Sequence, residues 1–396
     1  MAIDPTTNQN ATRRETMLAF SRPSIGEEEI AEVVDSLRSG WITTGPKVAR
    51  FEAEFAEYVG ATHAIAVNSG TAGLHISLLA LGLQPRDEVL LPPLTWPATA
   101  NAIVLAGGTP VFADIDPATW NLSPTEVAAK ITSRTRALMP VHFAGRPCAL
   151  GDLQALAQSH GLKIVEDAAH AAGTAYGGKK VGALSWSSVF SFHPIKNMTT
   201  AEGGMVTTDD EALATELRLL RFHGVTKDAY KRAQGKGSAQ YDTVRVGLKY
   251  NLTDMSAALG LHQLRRLDEF CRRRAELAGR YQEALADLPG LTVPAPARPE
   301  DCHAWHLYNV LIDSAQAGLS RDDFMLALQA ENIGTGLHFT AVHLHTYYRE
   351  RYGCAPGDCP VAEQVCDRIV SLPLYPGMTD QDQADVIAAV RRVVSR

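Results

Sequence analysis

Two stretches of this chain carry residues whose types and spacing suit one kind of chemistry. The first is Lys-Ile-Val-Glu-Asp-Ala-Ala-His (163–170), an apolar run that ends in two acids. The second is Ser-Phe-His-Pro-Ile-Lys-Asn (191–197), followed directly by Met-Thr-Thr-Ala-Glu-Gly-Gly (198–204). Asp167 and Lys196 stand 29 residues apart. Lys196 lies between the apolar pair Val189-Phe190 and a Gly-Gly turn, whereas Lys163, Lys179, Lys180 and Lys249 have ordinary exposed contexts. A lysine amine can condense with a cofactor aldehyde. A buried carboxylate can keep a pyridine nitrogen protonated, so that the ring draws in electrons. Those are the two requirements of pyridoxal 5'-phosphate. Lys196 is then the covalent anchor and the acid–base group, and Asp167 the partner of the ring nitrogen. Burial and nearby positive charge would lower the pKa of Lys196 and leave it nucleophilic when free. His170 is left to hydrogen-bond the phenolic oxygen, and Ser191, five residues before the lysine, to bind the phosphate.

The elements around these residues must bring them together. An apolar run ending in Glu-Asp reads as a buried strand that delivers its acid at the C-terminal end, where ligands bind in open α/β sheets. Helices are expected over 27–39, with Ile30, Val33, Val34 and Leu37 on one face, and over 48–59. Strands are expected over 64–67, 88–91, 110–113, 137–141, 164–166, 188–191 and 204–207, with helices over 71–83 and 98–106 among them. Such alternation predicts a mainly parallel sheet of about seven strands covered by helices on both faces. Residues 256–288 read as one long helix, followed by a strand over 306–312 and a helix over 321–330. The fold class is α/β: a tail over 1–19, a large domain over 20–255 and a smaller α+β domain over 256–396. With 396 residues the chain is too long for one compact core.

Apolar residues make up 45% and charged residues 20%, an ordinary globular balance. The net charge of −7 gives no reason to expect nucleic acid binding. Six cysteines are scattered, and the Cys354/Cys359 pair has no second pair or histidine pair to complete a metal site. Free thiols in a reducing cytosol fit better, so a cytoplasmic location is expected. No apolar run approaches the roughly 18–20 residues that span a bilayer. Residues 1–17 lack an apolar h-region, so no signal peptide is expected, and 1–16 read as a loose tail.

Asn-Ser-Gly-Thr-Ala-Gly (68–73) sits between a strand and a helix. Small residues there let a phosphate approach the helix N-terminus, although an ordinary N-cap at Ser69 or Thr71 reads equally from the same residues. Trp96 follows the next strand and is expected to stack on the flat ring rather than sit in the core. His338, together with His303, Trp305 and His306, falls in the small domain and can line a substrate pocket between domains. His338 and His193 are the substrate-side candidates. Neither His-Glu-x-x-His nor Gly-x-Ser-x-Gly occurs.

These motifs resemble the DegT-like nucleotide-sugar aminotransferases of fold-type I, over about residues 20–394. The resemblance is carried by Gly-Trp-Ile-Thr-Thr-Gly-Pro-Lys (40–47), Asn-Ser-Gly-Thr-Ala-Gly (68–73), Glu-Asp-Ala-Ala-His (166–170), Ser-Phe-His-Pro-Ile-Lys (191–196) and Tyr-Asn-Leu-Thr-Asp (250–254). It implies Lys196 as the cofactor lysine, Asp167 on the pyridinium, Thr71, Ala72 and Ser191 on the phosphate, and Trp96 on the ring. It further implies a homodimer with shared sites, in which Asn251 reaches the partner's phosphate. L-Glutamate and 2-oxoglutarate are the implied donor pair, and a UDP-4-keto-sugar the acceptor. Phe-His-Gly-Val (222–225), His-Ala-Trp-His-Leu (303–307) and His170 resemble the branch that aminates UDP-4-keto-L-arabinose for lipid A modification and polymyxin resistance. His-Pro-Ile-Lys (193–196) is more similar to enzymes acting on UDP-4-keto-6-deoxy-hexosamines. A sugar dehydratase of the same fold would carry His in place of Lys196. A non-catalytic sensor would need a DNA-binding extension that this acidic chain does not show.

Overall fold

The structure, a computed structural model, describes residues 13–226 and 240–394. The expected tail over 1–16 therefore lies mostly outside the described residues. Its described part is not loose, since Arg14 pairs with Asp382 at 2.9 Å and Asp385 at 2.6 Å, and just beyond it Leu18 bridges Ile333.

Two helices open the chain, α1 (Glu27–Ser39) and α2 (Pro46–Val59). The large domain continues as β1 (His63–Val67), α3 (Gly70–Leu81), β2 (Glu88–Leu91), α4 (Pro97–Leu105), β3 (Thr109–Phe112), α5 (Pro124–Lys130), β4 (Thr135–Leu138), α6 (Leu150–His160) and β5 (Lys163–Asp167). A short antiparallel pair follows, β6 (Ala175–Tyr176) and β7 (Lys179–Lys180), then β8 (Ser187–Ser191), β9 (Gly204–Thr208) and α7 (Glu211–Leu220). The main sheet has seven strands in the order β1-β9-β8-β5-β4-β2-β3. Its strands run parallel except β9, which pairs antiparallel with both β1 and β8. The mainly parallel α/β sheet predicted from the alternation is thus observed. Its central strands are buried along their length, as expected when helices cover both faces.

The long helix α8 (Asp254–Leu285) starts at the cap Thr253, whose Oγ1 accepts the Ser256 amide at 3.2 Å. Its first half packs Ala257, Leu261, Leu264 and Leu267 with α2 residues Phe51 and Phe55 and sheet residues Phe190 and Met205. Its second half packs Leu277, Tyr281 and Leu285 into a separate cluster with Leu18, Tyr308, Phe324 and Val390. That cluster covers a three-stranded antiparallel sheet of β10 (Leu291–Thr292), β11 (Tyr308–Ile312) and β12 (Ile369–Leu372). The intervening helices are α9 (Ser314–Ala317), α10 (Arg321–Ala330), α11 (Thr346–Tyr352) and α12 (Pro360–Arg368), and α13 (Asp380–Val394) closes the chain. Among the described residues no helix is long and apolar enough to cross a membrane.

Helix α1 turns the opposite way from what its apolar stripe suggests. Glu29 and Ser36 are buried against α8, with Glu29 accepting from Gln263 at 2.7 Å and Arg266 at 3.3 Å. Ile30 and Leu37, by contrast, are 47% and 54% exposed. A buried carboxylate met by an amide and a guanidinium is satisfied. Val33 and Val34 are half-buried, and the two ends of the stripe, Ile30 and Leu37, are left facing outward.

Candidate active site

The C-terminal ends of β5 and β8 set the two key side chains. Register pairing puts Asp167 beside Val189, and the chain leaves β8 at Ser191 through a turn in which the Lys196 amide donates to the His193 carbonyl at 2.8 Å. The next residue, Asn197, is buried and ties this turn down, its Nδ2 donating to the carbonyls of Ala304 at 2.8 Å and Ala172 at 3.3 Å. Lys196 thus projects from a fixed turn.

Asp167 is 4% exposed. Its Oδ2 accepts the Thr99 hydroxyl at 2.7 Å and its Oδ1 the Ala169 amide at 3.1 Å. Burial pushes its pKa up, while the Thr99 and Ala169 hydrogen bonds and the Lys196 charge pull it down. The net direction is upward, which is what a desolvated carboxylate shows before a cation is set against it. Lys196 has the complementary problem. Burial lowers its pKa to about 8, and the attraction of Asp167 only partly opposes this. About a tenth of its amine is therefore neutral and nucleophilic at pH 7, far more than for an ordinary lysine.

Behind Asp167, Glu166 points to the other face of the strand and meets His142 Nε2 at 2.6 Å, with both side chains fully buried. Ser188 donates to the second Glu166 oxygen at 3.0 Å, and the Cys148 amide donates to His142 Nδ1 at 3.1 Å. The His142 amide in turn donates to the Asp167 carbonyl at 3.1 Å. His142 is part of this scaffold.

The start of α3 lies against the end of β8. A Cβ added at Gly70 would stand 3.0 Å from Ser191 Cβ, and one at Gly204 would stand 2.7 Å from the Gly70 nitrogen. Only glycine fits at these close approaches, and they bring Ser191 to the helix N-terminus, a natural phosphate position. Ser69 is the N-cap, accepting the Ala72 amide at 3.1 Å, and Thr71 is exposed beside it. The cap reading of this motif is observed at Ser69, which takes the Ala72 amide and leaves Thr71 as the exposed polar side chain at the helix start.

Trp96 is 63% exposed, with its ring 6.0 Å from that of Phe339. Phe339 also stacks on His170 at 5.9 Å and 28°. His170, His306 and His338 all feel the charge of Lys196, and burial is the larger cause holding each of them neutral. For His338 the pKa falls to about 4, and its Nδ1 meets Ser371 Oγ at 2.8 Å. His193 stands apart from this group. It is exposed, and its Nδ1 accepts the Ile195 amide at 3.4 Å.

Asn251 lies beside the end of β1, bridged to Val67, and its amide donates to Thr44 Oγ1 at 2.6 Å. Asp254 caps α2, accepting the amides of Gly45 at 2.8 Å, Val48 at 2.9 Å and Lys47 at 3.1 Å. The 250–254 and 40–47 motifs are therefore one structural unit. Thr99 and Phe339 were not legible as site residues. The signal for Thr99 was faint: Thr95 and Thr99 stand one helical turn apart at the mouth of α4, with their hydroxyls 2.7 Å from each other.

A partly buried lysine of lowered pKa, a buried acid, an uncovered indole and a glycine-lined helix start make up the site of a fold-type I pyridoxal-phosphate transferase. The chain belongs to the DegT/DnrJ/EryC1/StrS aminotransferase family, whose model matches residues 23–391. It is 49% identical over 383 residues to the spore coat polysaccharide biosynthesis protein SpsC of Bacillus subtilis, covering 96% of this chain and 98% of that one. Among solved structures it resembles Spr1654 of Streptococcus pneumoniae in its PLP form, at TM-score 0.87 and 31% identity over 96% of this chain and 99% of the other. It also resembles DesI, solved in the presence of its TDP-sugar product, at TM-score 0.86 and 36% identity over 97% and 94% of the two chains. The protein is a pyridoxal-phosphate-dependent sugar aminotransferase.

Proposed function

We propose that the protein transfers an amino group from L-glutamate to the 4-keto carbon of a UDP-sugar. The observation that carries this reading is the Asp167–Lys196 pair: a buried acid with a dedicated hydroxyl donor, facing an amine whose pKa has fallen to about 8. Bound in this site, the cofactor would supply an electron sink for the electron pair left when a proton leaves the substrate Cα. Lys196 would be its covalent anchor and the acid–base group that accepts and returns that proton. Asp167, fixed by Thr99 and Ala169, holds the proton on the ring nitrogen. Thr71, Ala72 and Ser191 would hold the phosphate, Trp96 would cover the ring, and His170 would meet the phenolic oxygen. His338 borders the substrate side. A nucleotide sugar as acceptor is supported by DesI, which was solved with its TDP-sugar product. The motif resemblances support UDP-4-keto-L-arabinose as the sugar. A UDP-4-keto-6-deoxy-hexosamine is the second reading, favoured by His193-Pro194 before Ile195-Lys196.

The working unit in this reading is a homodimer. Ile30, Leu37 and Ile42 are each roughly half exposed near the loop that Asn251 holds through Thr44, so an apolar surface adjoins the residue proposed to reach the partner's phosphate. A cytoplasmic location fits nucleotide-sugar substrates. The test is a panel of UDP-4-keto-sugars. Purified protein should be yellow, bleach with L-glutamate, and recover its colour with the right acceptor. A protein that stays yellow with glutamate is a sensor and overturns the reading.

A further inference from the structure

We propose that the backbone amide of Ala144 fixes His170 as its Nε2–H tautomer, so that the ring offers a hydrogen-bond donor to an anionic oxygen in the site. The inference rests on the reading above, in which that oxygen is the cofactor's phenolic oxygen.

The Ala144 amide donates to His170 Nδ1 at 3.3 Å. A ring nitrogen that accepts from an N–H carries no proton of its own. Burial, reinforced by the charges of Lys196 and His338, pushes the His170 pKa well below the usual range, so the ring carries a single proton. That proton is left to Nε2.

The turn that aims this amide is built for it. Ala144 has φ 57°, a left-handed backbone that a residue with a Cβ adopts only where its surroundings impose it. Gly145 follows at φ 90°, and a Cβ there would stand 3.0 Å from the His306 nitrogen and 3.1 Å from the His170 carbonyl oxygen. Both carbonyls of the turn are claimed by the small-domain side of the site: Leu307 donates to Ala144 at 3.3 Å and Ala304 to Gly145 at 3.0 Å. Thr174 adds a 2.8 Å bond to Gly145, and Asn121 Oδ1 accepts the Phe143 amide at 2.9 Å. With its neighbours fixed this way, the Ala144 N–H is aimed at the imidazole.

The same loop meets a second imidazole. At its far end the Cys148 amide donates to His142 Nδ1, and the Nε2 of that ring meets the Glu166 carboxylate at 2.6 Å. One loop therefore aims a backbone amide at the Nδ1 of two imidazoles, but the two differ in charge: at His142 burial is outweighed by Cys148 and Glu166, which raise the pKa to about 10, whereas burial pushes that of His170 down. Phe339 stacks on one face of His170, and the His306 ring centre lies 4.3 Å away. Both His306 nitrogens are buried without a hydrogen-bond partner among the described residues, so that ring does not compete for the His170 Nε2–H.

The test uses cofactor-loaded protein with ¹⁵N-labelled histidine rings, the His170 signals being assigned by their loss in His170→Gln. Nδ1 is expected at the unprotonated shift and Nε2 at the protonated one; a proton on Nδ1, alone or with Nε2, overturns the inference. A second measurement compares two variants by dialysis of pyridoxal phosphate. His170→Gln places an amide N–H near the former Nε2, whereas His170→Asn cannot reach it. The Asn variant should retain the cofactor about tenfold less tightly than the Gln variant, one hydrogen bond to a charged oxygen; equal retention overturns the inference. A wild-type protein that takes up no pyridoxal phosphate overturns the functional reading and this inference together, whereas a loaded protein with Nδ1 protonated overturns the inference alone.

Discussion

The cradle around Lys196 and the surface around α1 are built on opposite principles. In the cradle the two acids are met within one chain, Asp167 by Thr99 and Ala169 and Glu166 by His142 and Ser188, while Asn197 Oδ1 and both His306 ring nitrogens are buried without a partner among the described residues. Around α1 the polar residues turn inward and Ile30 and Leu37 turn out. A chain that meets its buried acids yet leaves Ile30 and Leu37 uncovered has finished one surface and left room for a partner on the other. The Asp167–Lys196 cradle belongs to the single chain, and the complete site is proposed to belong to the pair.

The most severe way to break this contrast is on the cradle side. Lys196→Ala should abolish turnover and the yellow colour while leaving the melting temperature of the cofactor-free protein close to wild type. Turnover near the wild-type rate in that variant would remove the lysine from its role. Asp167→Asn should fold and lose on the order of 3 kcal/mol of transition-state stabilisation, roughly a hundredfold in kcat or more. Activity within tenfold of wild type would mean that the carboxylate charge is not what the site uses.

The partner side is probed by mixing. Lys196→Ala and Asn251→Asp should each be inactive alone and, after co-refolding, recover about a quarter of wild-type activity, since half of the dimers are mixed and one of their two sites lacks both defects. No recovery, with mixed dimers confirmed by mass, counts against a shared site. Thr99→Val is a smaller perturbation. Losing one hydrogen bond to a buried charge should cost roughly tenfold in kcat, and Thr99→Ser should restore most of it. An equal loss in both variants would point to packing instead. The mildest effect is in pH. With the Lys196 pKa near 8, cofactor uptake by the stripped protein should speed up as pH rises and level off above that value. A rate still climbing beyond pH 10 would mean an ordinary exposed amine.

Sequence alone revealed the cradle better than the surface, for a physical reason. Lys196 and Asp167 sit at the ends of apolar strands, and in a mainly parallel sheet strand ends converge on one edge, so period and spacing were enough. Thr99 was missed because its role depends on how the start of α4 lies over β5, a relation between distant segments that no local pattern encodes. The amphipathic stripe of α1 was visible, but its direction was not. Periodicity says that one face is apolar and does not say what covers it. Asn251 and Thr44 are 207 residues apart, and only the fold shows that they touch.

The docking of the first described residues onto the last ones bears on how the protein is made. Leu18 belongs to the same cluster as Val390 and Val393, and Arg14 is held by Asp382 and Asp385 on α13. A chain leaving the ribosome exposes its beginning long before it owns those partners. The cluster of Tyr308 and Phe324 must therefore wait for α13 before it can close over Leu18. A nascent chain stalled before Asp380 should leave the segment around Arg14 open to protease, and release of the finished chain should protect it.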